Sequence, residues 1–193
     1  FNMALDDEVI ESNPACNHGR LMRMYRKKKD DKVHVWTEQE VLAFLTTVKK
    51  ESPGMYMFYY VATFTGARFG ELMALKRDDF QLSNGKLLIQ RGVYHGVVKQ
   101  TKTYRPRKVD LHPTLIEALR EYFGKIDIDV MQGASRPEWA FTLPNGEMLN
   151  EWAVRYSFKK CVKISTLQYI RFHDLRHTFA SLLLDKGASP AYV

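Results

Sequence analysis

Cysteine is nearly missing from this chain. Cys16 and Cys161 stand far apart and neither belongs to a CxxC pair, which argues against a disulfide framework or a cysteine-built zinc site and fits a reducing, cytoplasmic setting. Long apolar runs are missing too. No stretch approaches the roughly 20 residues needed to cross a bilayer, and the opening FNMALDDEVI has neither the basic start nor the cleavable apolar run of a signal peptide. Internal repeats and low-complexity tracts are absent. Acidic residues are outnumbered, 22 against 29 Lys plus Arg, giving a formal charge of +7 and a pI near 9.3. That balance is compatible with a polyanion partner, and equally with a soluble basic protein that has none. What the chain has in quantity is apolar side chain: 45% hydrophobic and 12% aromatic over 193 residues. This suffices for one core-bearing domain plus a short appendage and speaks against wholesale disorder. The first residue is Phe and the last five, SPAYV, resemble the opening of a helix, so both ends read as cuts in a longer protein.

Residues 1–13 read as the tail of a helix stopped by Asn13-Pro14, because a residue before proline avoids the helical region. Residues 14–35 show no periodicity and carry Arg20, Arg23, Arg26, Lys27, Lys28, Lys29 and Lys32 against Asp30 and Asp31. They read as a basic interdomain linker, either merely solvated or following a phosphate backbone. A compact domain is expected over residues 36–193. Thr37-Glu38-Gln39-Glu40 is a capping box, opening a helix with Val41, Leu42, Leu45 and Val48 on one face. Pro53-Gly54 opens an apolar helix through Met55, Phe58, Tyr59 and Ala62, broken at Thr65-Gly66, and a third helix is expected over 69–76. The period then changes. Leu87 and Ile89 alternate with Leu88 and Gln90, and Val109 and Leu111 with Lys108 and Asp110, predicting a small antiparallel sheet of two or three strands within 86–111. Pro113 marks the first turn of another helix. A short strand or extended segment is expected at Trp139 to Thr142, a turn at Pro144-Asn145-Gly146, and helices over 150–165 and 173–186, the last stopped by Gly187. The fold class is mainly α with one small antiparallel sheet.

Three stretches carry candidate chemistry. In the last helix His173, Arg176 and His177 lie three and four apart and share a face. Two histidines four apart suggest a zinc helix, but the glutamate base is missing and Arg176 between them would repel a cation, so no metal is assigned. In the second, Thr65-Gly66-Ala67-Arg68-Phe69-Gly70-Glu71-Leu72, an arginine begins a helix directly after a glycine break, with Glu71 placed to hold Arg68 or pair with it at the surface. The third, Lys99 to Lys108, has five basic residues and no acid. It falls at an expected hairpin whose lysines serve solubility or ligand binding. Two arginines, a lysine and a histidine are together the groups needed to handle a phosphodiester without a metal. Guanidinium forks grip the non-bridging oxygens of a phosphorane-like transition state, a lysine protonates a leaving oxygen, and an imidazole moves a proton.

TGARFGEL, then TKT followed by RKVDL, then FHDLRHTFASLLLDKG resemble the signature boxes of the tyrosine recombinase (phage integrase) family, in the family's order. The resemblance covers about residue 36 to the end, with a remnant of a core-binding domain over 1–13. It implies the integrase catalytic-domain fold. It further implies site-specific DNA recombination, such as integration or excision of a mobile element, through a 3′-phosphotyrosyl intermediate, with no metal or nucleotide cofactor. Carried over, Arg68 and Arg176 would clamp the scissile phosphate, Lys102 (with Lys99 as rival) would be the general acid, and His173 would assist proton transfer. Glu71 would support Arg68, and Lys99, Arg105, Arg107, Lys27 and Lys28 would contact DNA; His177 reads as structural. The family's further His or Trp and its nucleophilic tyrosine are expected beyond Val193. Tyr192 stands too close to Arg176 for that role and Tyr169 precedes the helix, so this chain is expected to bind double-stranded DNA without cleaving it. Full-length relatives act as homotetramers on synapsed DNA, whereas this chain alone is expected to be a monomer, off the membrane, in the bacterial cytoplasm with the nucleoid. A non-catalytic DNA-binding remnant and a type IB topoisomerase are the alternative readings.

Overall fold

A computed structural model describes residues 8–11, 34–94, 96–100 and 106–189. The chain divides into two compact units, residues 1–33 and 34–193. In the first, residues 8–11 form a turn and bend rather than the expected helix. The rest of that helix, linker residues 14–33 with Lys27 and Lys28, and Lys102, Arg105 and Tyr192 lie outside the described residues.

The second unit opens with α1 (Glu38–Glu51). The Thr37 hydroxyl accepts from the Glu40 N–H at 3.3 Å, and the Glu40 carboxylate accepts from the Thr37 N–H at 2.8 Å, so both members of the capping box are made. The buried face of α1 is Val41, Phe44, Leu45 and Val48. Leu42 is not part of it and is 55% exposed, one step around the helix from the stripe that Phe44 completes. A 3₁₀ turn at Pro53–Met55 leads into α2 (Tyr56–Thr65), the most deeply buried helix, with Phe58, Tyr59 and Val61 fully enclosed. Gly66 ends it in the left-handed conformation at φ 57°, where glycine carries no Cβ penalty.

Helix α3 spans Phe69–Met73 and is shorter than the reading of 69–76. The chain turns at Ala74 and winds as a 3₁₀ helix over Arg77–Asp79, because the Asp79 carboxylate accepts the Lys76 N–H at 2.8 Å and starts a new turn there. Five strands follow among the described residues: β1 (Phe80–Gln81), β2 (Lys86–Ile89), β3 (Arg91–Tyr94), β4 (Val97–Gln100) and β5 (Arg107–Asp110). They make two antiparallel sheets, not the one expected. One has the order β1-β2-β5, with Leu87 opposite Val109; the other is the β3–β4 hairpin, with Val93 opposite Val98. Leu87 and Ile89 alternate inward as read. The hairpin packs on α3 so closely that a Cβ on Gly70 would strike the Val93 carbonyl. Helix α4 (Pro113–Met131) starts with Pro at its first position and buries Leu115, Leu119 and Phe123. The short strand or extended segment expected at Trp139 to Thr142 holds one isolated bridge, between Thr142 and Met148. Helices α5 (Glu151–Ile164) and α6 (Asp174–Asp185) complete the unit.

The core is aromatic. Trp36, Phe44, Tyr59, Phe158 and Phe172 form one run of rings with centroids 5.1–6.2 Å apart, joining α1, α2 and α5 to the segment before α6. Edge-to-face and tilted pairs of this kind stabilise beyond their burial. The Trp36 backbone N–H donates to the Thr178 hydroxyl at 3.2 Å and its indole N–H to the Gln168 carbonyl at 3.0 Å. The start of the unit is thereby fastened to α6 and to the segment before it, which positions the His173–Arg176 face.

Candidate active site

Arg68 is the residue that caps α3, and Glu71, one turn on, is the hub of the site. One Glu71 carboxylate oxygen accepts the Arg68 backbone N–H at 2.8 Å, and the other accepts the Arg68 guanidinium at 3.1 Å. A second arginine arrives from β5: Arg107 donates both forks to the same carboxylate at 2.8 and 2.6 Å. Glu71 is 1% exposed, Arg107 34% and Arg68 53%. A bidentate pair between a buried carboxylate and a guanidinium is the strong form of this interaction. Burial alone would raise the Glu71 pKa, but the hydrogen bonds from Arg107 and the Arg68 N–H outweigh it and hold the carboxyl below the usual range.

Arg176, from the first turn of α6, donates to the Gly66 carbonyl at 2.6 Å. The left-handed turn at Gly66 leaves no room for a Cβ against the Phe179 ring, so the same glycine ends α2 and receives the second arginine. Burial first, then the neighbouring charges of Arg68 and Arg107, lower the Arg176 pKa, and Glu71 opposes them. Three guanidiniums are thus within electrostatic reach of one another around a single buried carboxylate. A cavity of about 190 Å³ opens beside two of them, Arg107 and Arg176, and is lined also by Thr65, Lys108, Val109 and Phe179. A concentration of like charge that one carboxylate cannot neutralise is a receptor for an anion with several oxygens.

His173 precedes α6, its ring 5.4 Å from that of His177 in an edge-to-face pair. Partial shielding by packing comes first, followed by His177, in lowering the His173 pKa; Arg176 and Arg171 act the same way, against the pull of Asp174. The imidazole is therefore neutral at neutral pH and able to accept a proton. Asp174 is itself held by Arg171, whose backbone N–H donates at 2.8 Å and whose guanidinium donates at 3.0 and 2.8 Å. Among the described residues no group of three His, Cys, Asp or Glu could hold a metal ion.

Of the residues singled out in the sequence, Arg68, Glu71 and Arg176 come together and His173 lies one turn of chain from Arg176. Lys99 is exposed on β4, opposite Gly92 on the hairpin that covers α3. Arg107, read as a DNA contact, is also a member of the arginine cluster through its pair with Glu71. Its basic-run context concealed this; the signal was its inward position on β5, two residues from Val109.

An α-helical unit with small antiparallel sheets and clustered arginines at the starts of two helices has the fold of tyrosine recombinase catalytic domains. It superposes on the Tn1549 transposon integrase in complex with transposon right end DNA with a TM-score of 0.76 at 22% identity, covering 99% of this chain and 65% of that one. On the lambda integrase catalytic core the TM-score is 0.59 at 21% identity, covering 79% and 84%. The family model for the phage integrase family matches residues 34–193, and the chain belongs to that family. It is 27% identical over 203 residues to the ICEBs1 integrase of Bacillus subtilis (97% of this chain, 51% of that protein), and 26% identical over 193 residues to the tyrosine recombinase XerC of Bacillus pumilus (97% and 59%). The chain thus spans between half and three-fifths of the length of these relatives.

Proposed function

We propose that the chain forms the phosphate-handling part of a site-specific recombinase that integrates or excises a mobile element, and that its partner is double-stranded DNA. Arg68 and Arg176 grip the non-bridging oxygens of the scissile phosphate, where charge accumulates as the phosphorus becomes five-coordinate. A tyrosine hydroxyl of the complete protein attacks the phosphorus and the 5′ oxygen departs, leaving a 3′-phosphotyrosyl link that a partner strand's 5′ hydroxyl later reverses. His173, neutral at rest, assists removal of the tyrosine proton, and Lys102 protonates the departing oxygen. Glu71 holds Arg68 in place. Lys99, Arg105, Arg107, Lys27 and Lys28 are the further cations proposed to contact DNA phosphates. The chemistry needs no metal or nucleotide cofactor.

The observation that carries this reading is the meeting of Arg68, Arg107 and Arg176 around Glu71. Its test is a covalent protein–DNA adduct on a nicked substrate. The complete protein is expected to form the adduct, and Arg68→Ala or Arg176→Ala to abolish it; retention of the adduct in both variants would contradict the assignment. The 193 residues by themselves are expected to bind duplex DNA without forming the adduct and to run as a monomer in light scattering, whereas the complete protein assembles as a tetramer on synapsed DNA.

A further inference from the structure

Asp79 is a buried carboxylate that the phosphate chemistry does not use. Its side chain is 2% exposed, and that of its partner Arg91 is 22% exposed. As the cap of the Arg77–Asp79 turn it needs one bond, which its Oδ2 accepts from the Lys76 N–H. It accepts two more. The Arg91 guanidinium donates to Oδ2 at 2.6 Å, and the Gln90 side-chain amide donates to Oδ1 at 2.9 Å. Arg91 also donates to the Ala74 carbonyl at 3.3 Å, at the end of α3. Burying an ion pair costs desolvation that a helix cap alone does not require. The added bonds hold Gln90 and Arg91, where the chain leaves β2 and enters β3, against the end of α3. That point has a particular place in the sheets. The connection from β4 to β5 leaves at Gln100, opposite Arg91, and returns at Arg107, opposite Ile89. Lys99 stands opposite Gly92, and Lys102 comes two residues after Gln100. Both ends of the lysine-bearing connection are therefore paired to residues 89–91, and Asp79 fastens two of those three.

We propose that Asp79, acting through Arg91 and Gln90, is a positioning residue for the general-acid step: it fixes the rungs from which the β4–β5 connection springs and so sets the approach of Lys102 to the departing 5′ oxygen. The inference rests on the recombinase reading above and adds to it a device that registers the acid to the arginine clamp. Both parts are referred to one short helix. Glu71 and Arg68 stand at the start of α3, the Asp79 knot grips its end at Ala74, and the β3–β4 hairpin is seated on it where Gly70 meets the Val93 carbonyl. In the step concerned, a bond forms between the tyrosine oxygen and phosphorus, the bond from phosphorus to the 5′ oxygen breaks, and the lysine ammonium gives its proton to that oxygen. Loosening the knot displaces the acid and leaves the clamp in place. A displacement of about 1 Å costs on the order of a hundredfold in rate.

The test uses the complete protein and two nicked duplexes, one with the ordinary 5′ oxygen at the scissile phosphate and one with sulfur in that bridging position. A thiolate departs without being protonated, so the sulfur substrate needs no acid. Lys102→Ala sets the pattern of a lost acid, slow on oxygen and restored on sulfur. Arg68→Ala sets the pattern of a lost clamp, slow on both. Asp79→Asn keeps an oxygen for the Lys76 N–H and loses the charge that holds Arg91. It is expected to form the covalent adduct about a hundredfold more slowly than wild type on the oxygen substrate, with duplex affinity unchanged, and at the wild-type rate on the sulfur substrate. Arg91→Lys keeps a cation beside the carboxylate; it is expected to show a smaller loss with the same recovery, and it carries the test if Asp79→Asn does not fold. Slowing on both substrates, as in Arg68→Ala, would overturn the proposal in favour of a role in the fold or the clamp. Wild-type rates on the oxygen substrate would overturn it as well. In both cases the recombinase reading stands. If the wild-type protein forms no adduct with either duplex, that reading falls and takes this proposal with it.

Discussion

The starts of α3 and α6 share a local design and differ in what reaches them from elsewhere. Each has a carboxylate that accepts the backbone N–H of an arginine three residues earlier and pairs with that arginine's guanidinium: Glu71 with Arg68, and Asp174 with Arg171. At Glu71 a second guanidinium, Arg107, comes from β5, more than thirty residues on. At Asp174 the further electrostatic neighbour is the His177 imidazole on its own helix. The local design sets a helix start. The long-range fork makes one of the two starts the candidate site, because it places a third cation beside Arg176 while holding the carboxylate that pairs with Arg68.

Removing the hub should break the comparison most strongly. Glu71→Ala leaves the crowded guanidiniums without their counter-charge, and breaking a buried pair in this way costs about 3 kcal/mol at the low end of the range, since Arg68 and Arg107 are partly solvated. Asp174→Ala should cost about 1 kcal/mol, the scale of a lost cap. Urea unfolding of the two variants measures the difference, and equal losses would show that the two starts are energetically alike. Gly66→Ala comes next, at about 2 kcal/mol, because a Cβ there is strained at φ 57° and meets Phe179. It should also displace Arg176, seen as a drop in DNA affinity larger than in a control with alanine at the open position Gly54. Arg107→Ala is expected to cost about 1.5 kcal/mol, because Glu71 retains Arg68.

The smallest effects lie in pH dependence. The Glu71 pKa is depressed in the folded state, so its contribution is complete above the ordinary glutamate value of about 4.3 and is lost as pH falls through the folded-state value. Glu71→Gln should flatten the acid limb of a stability–pH curve. The His173 pKa is depressed too. For a base this means that the unfolded chain binds the proton more readily, so stability falls as pH drops below about 6.5. His173→Gln should flatten that shallower slope, and a slope unchanged by the substitution would remove the argument for a neutral imidazole.

The parts of this structure legible in the sequence are those written within a few residues. The Thr37 box, the stop at Gly66 and Pro113 at a helix start each place their own chemistry on neighbouring backbone, and each forms as read. What was not legible depends on partners distant in sequence. Asp79 cuts α3 short by starting a new turn and then takes Arg91 at 2.6 Å. The division of the strands into two sheets follows from the β3–β4 hairpin folding onto α3 at Gly70 rather than continuing β2. Arg107 looked like one more cation in a basic run until Glu71 was seen to hold it. Arg68 and Arg176 could be picked out as candidates from their boxes, but the bond from Arg176 to the Gly66 carbonyl, two residues before Arg68, is a tertiary fact.

The central claim is that Arg68 and Arg176 serve one phosphate. Side-chain ¹⁵N NMR of the arginines during titration with a nicked duplex tests it most directly. The Nε resonances of Arg68 and Arg176 are expected to shift together, at the same DNA concentration, while Arg77, paired with Asp127 at 2.6 and 2.7 Å, stays in place. Shifts confined to exposed arginines such as Arg155, with Arg68 and Arg176 unmoved at saturation, would contradict it.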